Sequence, residues 1–548
     1  LPYWLGGDGP TLTKEVAMQK VDRVQYIDDY RSILSEETKP HLLIQGCALL
    51  DPQGHSGLPR SLGLPRSLGE LRLDQDILIV GERIKAIGPG GTLPFNSLRI
   101  DRVIQGKGLV AIPGLVNAHT HSLENLLKAT SPSLPLELWL VPLFSDTVEW
   151  SPRLVYLSAL LGAIEMLKSG TTAVLDHLWT VDGVAPAYLN ATMQAYHDAG
   201  IRAAVAPSIE DQDLVLEAGA RRGLVFPHHP FIDRFACWPS IERQIAALEQ
   251  FIAHWHNAAD GRLRCFVGPS GIHWCSPRLM ETCLDLAEQY DTGIHLHAVE
   301  TELQAAVIRE TLGQGGIAYL DQLGVLKSGT SLAHAIWLEP GDLEILADTG
   351  TTVVHNPVSN LRLGSGRFPF AEARKQGVTI ALGSDGSASN DTQNMFGVLK
   401  LTGLIHNQPN FDYRKWPRPT EILDAATKGG AAALGMGAEL GEIAPGYLAD
   451  LTLLNLENAA FLPLRDPYLH LVYCENGYSV DTVIVHGKVV VERGAIVTID
   501  EMALRREIRE YCHPTGPGFP LPESATNTHE VLATIDTLRE LILSKERS

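Results

Sequence analysis

The chain of 548 residues is 45% hydrophobic and 20% charged, with 44 Lys+Arg against 64 Asp+Glu and a formal net charge of −20. Those proportions describe a globular protein with an ample core and exclude disorder as the main state. The acidic balance argues against nucleic acid or an anionic membrane as the main partner, because phosphate is bound through clustered Lys and Arg, and no such run occurs. The 7 cysteines are scattered without a C-x-x-C pair, which fits a reducing, cytoplasmic setting. No signal-like leader and nothing near about 18 consecutive apolar residues supports export or membrane spanning.

In chain order, residues 1–40 read as a polar extension without recognisable chemistry. Residues 41–112 hold short β-rich runs (41–51, 76–88 and 98–114) separated by Gly-containing turns. Between the first two, GLPRSL occurs twice, at 57–62 and 63–68. Two copies are too few for a solenoid, and they read as an insertion in a surface loop.

Residues 113–445 alternate short apolar runs with amphipathic, helix-length segments. Eight such runs occur, at 115–121, 171–177, 203–209, 264–270, 293–299, 330–336, 351–357 and 378–385. Helical stretches such as 153–170 and 276–293 start at or near Ser-Pro and end at Gly. Eight alternations match a (β/α)8 TIM-type barrel. A doubly wound sheet is the alternative, but the Gly-rich phosphate turn it uses is missing after the first strand. Residues 446–500 return to strand patterning, with a hairpin at His486-Gly487. They are expected to pair with 41–112 in one small β-sandwich built from both chain ends. The segment 501–548 reads as a peripheral helical tail, interrupted by a Pro- and Gly-rich stretch at 513–522.

His119 and His121 end the first barrel strand two residues apart, so both imidazoles face the same side. With 20 His in the chain, chance alone gives about 0.7 H-x-H triplets, so spacing alone decides nothing. His254 and His256 lie in a helical pattern, where residues two apart diverge, and read as solvated or packing groups. His295 and His297 end the fifth strand, followed by Glu300. The stronger signal is that His119, His121, His297, His334, His355 and Asp385 all fall at C-terminal strand ends, the face on which barrels of this type build chemistry. Three His nitrogens and a carboxylate suit one divalent metal, Zn or Fe, with a position left open for water.

The motifs PGLVNAHTHSLENLLK (113–128), SGTTAVLDH (169–177), IHLHAVETE (294–302), SLAHAIWL (331–338), VVHNPVSNLRLGSG (353–366), IALGSDGSASND (380–391), ATKGGAAALGM (426–436) and GEIAPGYLADLTLL (441–454) together resemble the amidohydrolase superfamily, in its cytosine-deaminase-like branch of nucleoside deaminases and triazine hydrolases. The resemblance spans about residues 41–500. It implies that His119, His121, His297 and Asp385 bind the metal, that Glu300 protonates a ring nitrogen of the substrate, that His334 orients the attacking water, and that Asp385 also serves as general base. It further implies a homodimer acting on a small N-heterocycle, a purine, pterin, pyrimidine or s-triazine, from which ammonia is removed.

Relatives with two metals bridge them through a lysine on the fourth strand; 263–277 contains none, so one metal is expected. Nucleoside-deaminase relatives end that strand P-H-x-P, whereas here it reads Pro269-Ser270-Gly271-Ile272, with His273 as a substitute of uncertain place. The acid that grips a ribose diol would fall after Trp139-Leu140, near Asp146 and Glu149, but a gap-free count puts Thr147 there. Trp139, His273, His355 and Asn360 are candidate substrate or supporting residues, and His177 with Asp176 reads as structural. The segments 122–150, 208–240 and 271–277 are expected to shape the pocket. Alternatives are dechlorination or dealkylamination of a triazine at the same site, imide hydrolysis of the dihydropyrimidinase type, which would need two metals, and a catalytically silent binding protein, which would need a broken ligand or acid position.

Overall fold

The structure is a computed structural model that describes residues 39–51, 70–93, 99–144, 150–180, 184–234, 238–407, 412–513 and 527–546. The 57–68 duplication, Asp146, Thr147, Glu149 and nearly all of the extension 1–40 lie outside the described residues.

Five strands precede the alternating region: β1 (His41–Asp51), β2 (Glu70–Val80), β3 (Arg83–Pro89), β4 (Arg102–Gln105) and β5 (Leu109–Pro113). The eight apolar runs then become β6 (Leu115–Thr120), β7 (Thr171–Leu178), β8 (Arg202–Ile209), β9 (Leu263–Cys265) with β10 (Gly268–Pro269), β11 (Ile294–Ala298), β12 (Thr330–His334), β13 (Thr352–His355) and β14 (Thr379–Leu382). The fourth run is interrupted and supplies two short strands. After it come β15 (Leu451–Asn455), β16 (Val480–Val485), β17 (Lys488–Glu492) and β18 (Ala495–Ile496).

From β6 to β14 every pairing is parallel and follows chain order. Parallel bridges Val267 to Ile294 and Gly271 to His297 join the two barrel sheets. At the other edge the Asp385 N–H donates to the His119 carbonyl at 2.9 Å. This is a TIM-barrel-type α/β fold. These strands are buried along most of their length, as parallel strands covered by helices must be. The helices start where Ser-Pro predicts: Ser151 and Ser276 each accept a hydrogen bond from the backbone N–H three residues on, with proline in the first turn.

The strands of both chain ends do pair: β15 lies antiparallel between β5 and β16. They form one nine-stranded sheet, rather than two separately paired layers. β1 is the reason: its register shifts after Ile44 and Cys47, and it pairs with β2, β4 and β5 along its length. The hairpin turns at His486-Gly487, both with positive φ, as a two-residue turn between twisted strands requires.

The C-terminal segment departs from expectation. Helix Glu501–Tyr511 is tied to helix Pro152–Lys168 by Arg153–Glu507 and Lys168–Glu501 ion pairs at 2.6 and 2.8 Å. Helix Thr528–Glu546 packs Leu538 and Ile542 into the same cluster as Leu303 and Val307. Its apolar face is spread along a sequence with a polar interruption before it, which masked the burial.

The sheet is locked to the barrel by a buried bidentate pair, Arg202 on β8 with Asp450 ahead of β15, at 2.8 and 2.9 Å. Removing one partner leaves the other charge buried and uncompensated. Asp450→Ala is therefore expected to cost about 3–5 kcal/mol of unfolding free energy, measured by urea denaturation. The double replacement Arg202→Met with Asp450→Leu should recover most of that loss.

Candidate active site

Each strand-end histidine reaches the barrel mouth with one ring nitrogen already committed. His121 Nδ1 lies 2.6 Å from the His177 carbonyl and His297 Nδ1 2.6 Å from the Ser270 carbonyl. A carbonyl only accepts, so both Nδ1 atoms carry the proton and both Nε2 lone pairs are free. His119 Nδ1 sits 2.8 Å from His295 Nε2, whose Nδ1 is 2.7 Å from Ser331 Oγ. Donation from His119 to His295 to Ser331 satisfies this chain and frees His119 Nε2 as well.

The freed atoms converge. His119 Nε2 and His121 Nε2 lie 3.5 and 3.3 Å from Asp385 Oδ1, and His297 Nε2 lies 3.4 Å from His121 Nε2. Metal–ligand bonds of about 2.0–2.1 Å in a tetrahedron place neighbouring ligand atoms ~3.4 Å apart, which is the spacing seen. His119 Nε2 is buried without a hydrogen-bond partner, a costly state that a cation relieves. The residues thus fit a divalent metal: His119, His121 and Asp385 bring ligand atoms within reach of one another, as do His119, His177 and His297.

Electrostatics agree. Burial pushes the His119 imidazole down to about 4 and holds His297 well below its usual range, so both stay neutral as ligands must. Burial also works against a charged His121, but Glu124 and Asp385 outweigh it and raise it. For Asp385, burial opposes ionisation, yet His119, His334 and His121 together hold its carboxyl well below the ordinary range. The cluster is a negatively biased pocket that attracts positive charge.

On the cavity side, His334 Nδ1 donates to Asn360 Oδ1 at 2.8 Å, which leaves Nε2 facing Asp385 Oδ2 at 3.7 Å and Glu300 Oε2 at 3.6 Å. Ser365 Oγ donates to Glu300 Oε1 at 2.9 Å. Burial raises the Glu300 carboxyl. His334 and Asp385 both adopt positive φ, 74° and 64°, a cost that non-glycine residues bear where position matters.

A cavity of about 1080 Å³ opens onto His121, His297, Glu300, His334 and Asp385. Its walls include residues of all three expected segments, among them Trp139, Phe144, Trp150 and Trp274, and also Trp179, part of helix Ile241–Trp255 and Thr528 from outside them. Trp139 is buried with its indole N–H unpartnered. Ser270 lines the cavity where relatives' P-H-x-P would supply histidine.

Two of the candidate residues lie away from this cavity. His273 does not line this cavity: the turn that closes with Trp274 N–H on the Gly271 carbonyl puts Trp274 in the wall and His273 behind it, against Glu137 and Gln304. His355 also points away, bonded to His406 at 3.1 Å and packed on Phe368; the loop after it delivers Asn360 instead. His177 is more than structural filler. It stacks on His297 with ring centroids 4.8 Å apart and lies within ligand reach of His119 and His297.

Sequence reasoning gave no role to three groups. His295 was visible in its triplet, but its bond to His119 depends on strand register. Ser365 comes from a loop. Glu124 lines the cavity, accepts hydrogen bonds from Trp179 Nε1 and the Ala388 N–H, and is pushed up to about 7 by burial; its place three residues after His121 was the available clue.

A family model described as the Amidohydrolase family matches residues 110–490. The chain is 32% identical over 471 residues to a 5-methylthioadenosine/S-adenosylhomocysteine deaminase of Pelotomaculum thermopropionicum, covering 86% of this chain and 98% of that protein. It is 34% identical over 402 residues to a 5'-deoxyadenosine deaminase of Methanothermobacter thermautotrophicus, covering 73% and 86%. The crystal structure of an atrazine chlorohydrolase from Arthrobacter aurescens TC1 complexed with zinc superposes with a TM-score of 0.75 at 28% identity, covering 85% of this chain and 99% of that one.

The partner of a ligating histidine sets its tautomer and basicity. His295→Phe is expected to weaken metal binding by about 10–100-fold, read by competition with a chromophoric chelator. Undiminished affinity would deny His295 this role.

Proposed function

This chain belongs to the amidohydrolase family, and we propose that it is a metal-dependent aminohydrolase that replaces the amino group of an N-heterocycle by oxygen and releases ammonia. One observation carries the reading. Asp385 has one oxygen among the freed imidazole nitrogens and the other directed at His334, which in turn faces Glu300 across the same cavity.

His119, His121, His297 and Asp385 would hold a divalent metal, zinc first and iron second, which would lower the pKa of a water toward about 7 and so supply a nucleophile at neutral pH. The chain's own groups do the rest. Asp385 Oδ2 accepts the proton of the attacking water, and His334 Nε2, fixed by Asn360, orients that water. Glu300, whose carboxyl burial raises above its ordinary range, donates in its acid form to the ring nitrogen beside the carbon under attack. The proton on Asp385 then passes to the departing amine, which leaves as ammonia, while the remaining hydroxyl proton returns to Glu300 as the carbonyl forms. Without a lysine on the fourth strand, one metal per chain suffices.

The cavity exceeds the usual range of about 300–1,000 Å³ for small-molecule sites, so a substituted heterocycle fits better than a bare ring. Its tryptophans offer flat faces for stacking. Adenosine-type nucleosides, which the curated relatives' names specify, are the first candidates. Ser270 in place of histidine, together with the likeness to the atrazine chlorohydrolase, favours a second reading in which a triazine loses chloride or alkylamine by the same steps.

We read β6–β14 as a closed (β/α)8 barrel over 113–445 and the nine-stranded sheet, from 41–112 and 446–500, as a small sandwich folded on itself. Residues 1–40 and 501–548 are extensions. Dispersed cysteines support a cytoplasmic location, and the family resemblance supports a homodimer. No described helix is long and apolar enough to cross a membrane.

The test is a panel of aminopurines, their nucleosides, pterins, pyrimidines and triazines, with ammonia, chloride and alkylamine followed in parallel on zinc-loaded enzyme. Ammonia from one class is the expected result; chloride or alkylamine would select the second reading. Glu300→Gln should lower kcat by about 10²–10⁴-fold with metal content unchanged, and undiminished turnover would remove Glu300 from the reaction.

A further inference from the structure

We propose that the C-terminal helix Thr528–Glu546 belongs to the framework of the reaction centre, and that Glu137 is the positioning residue through which it holds Glu300. This rests on the assignment of Glu300 as the acid. The helix lies beyond residues 110–490 matched by the family model.

Glu300 sits on a strained connection. Val299 just before it adopts φ 39°, a conformation that β-branched residues avoid, so the loop needs external restraint. The restraint is a chain of hydrogen bonds. The Glu300 N–H donates to Gln304 Oε1 at 3.1 Å, and the Gln304 N–H donates to Thr301 Oγ1 at 3.2 Å. Thr301 caps helix Glu302–Leu312 in this way and donates its hydroxyl proton to Glu137 Oε1 at 2.5 Å. Glu137 is buried on helix Leu136–Leu143, and a buried carboxylate is tolerated only where it is paired.

The pairing partner comes from the C-terminal helix: Arg539 Nε lies 3.7 Å from Glu137 Oε2. That helix spans the two others. Val531 and Ile535 pack with Leu136 and Trp139, while Leu538 and Ile542 pack with Leu303 and Val307. At its start Thr528 lines the cavity. Glu137 and Trp139, two residues apart, project on different faces of their helix: one faces the restraint and the other the cavity. The C-terminal helix thus sets the spacing between the wall that carries Trp139 and the loop that carries Glu300.

The proposal makes a split prediction on the full-length, metal-loaded enzyme. A displacement of about 1 Å costs on the order of 10²-fold in rate. Glu137→Leu is expected to lower kcat by about 10–100-fold with KM and metal content little changed. Glu137→Gln keeps an oxygen acceptor for Thr301 and should restore kcat to within several-fold of the native enzyme. Thr301→Val removes the donor from the other side, and its combination with Glu137→Leu should lose no more than either alone, because both break one bond. Arg539→Leu, altered at a partly exposed site, should give a smaller kcat loss.

A Glu137→Leu enzyme within about twofold of native kcat, alongside an inactive Glu300→Gln, would overturn the positioning role and leave the acid assignment intact. Equal losses in Glu137→Gln and Glu137→Leu that track falling Tm or metal content would reduce Glu137 to a fold stabiliser. An active Glu300→Gln would fail the acid assignment and take the positioning role with it.

Discussion

Three imidazole lone pairs and one carboxylate oxygen aimed at a single buried point form an arrangement that protein groups alone do not satisfy. Each Nδ1 is spoken for, by a carbonyl for His121 and His297 and by His295 for His119. Burial denies His119 and His297 a second proton, so their Nε2 atoms keep free lone pairs. Left without a cation, such a cluster carries an uncompensated desolvation cost. The barrel makes the arrangement possible because the ends of β6, β11 and β14 meet at one mouth, so ligands distant in sequence come together at or just beyond strand ends.

The same crowding explains the backbone around the site. Asp385 must turn its side chain back under the imidazoles, and His334 must turn toward Glu300, which both do at positive φ. The residue after Asp385 is glycine for a related reason: a Cβ on Gly386 would meet Glu124 Oε2 at 1.9 Å. Local strain of this kind persists when neighbouring structure over-determines it. Here the network of Asn117, Thr120, Ser384 and Gln393 clamps the Asp385 loop with buried hydrogen bonds.

What the sequence made legible follows from periodicity. Alternation on a strand gave the shared face of His119 and His121, and strand-end placement picked out His297, His334 and Asp385; of these, His121, His297, His334 and Asp385 line the cavity, and His119 lies buried against Asp385. The eight strand positions were readable for the same reason. Two candidates lie away from the cavity, each for a local reason. His355 obeys the strand-end rule yet turns outward, because the last residue of a strand faces in or out according to a register that one sequence does not display. His273 was placed by analogy to a motif the chain lacks, and the turn 271–274 sends it behind Trp274. Glu124 and His177, by contrast, stood next to recognised motifs and lacked only a spatial partner to give them meaning.

The division between barrel and wall bears on why proteins with differently named activities align with this chain over most of its length. His119, His121, His297, His334 and Asp385 stand at or just beyond strand ends, whose geometry the fold dictates, and Glu300 on the connection that follows β11. The cavity wall comes from helix Leu136–Leu143, the loops after β8 and β10, and helix Thr528–Glu546, none of which is dictated by strand closure. Changes there alter which ring and which substituent fit, while the metal-facing side chains keep their places at the strand ends. The C-terminal helix is the extreme case, since it lies outside the family match and still touches both the wall and, through Glu137 and Thr301, the residue beside Glu300. Specificity and acid placement are therefore mechanically coupled in this protein. A substituent that pushes on the wall at Trp139 pushes on the same helix that anchors the acid, so substrate fit and proton delivery are adjusted together rather than independently.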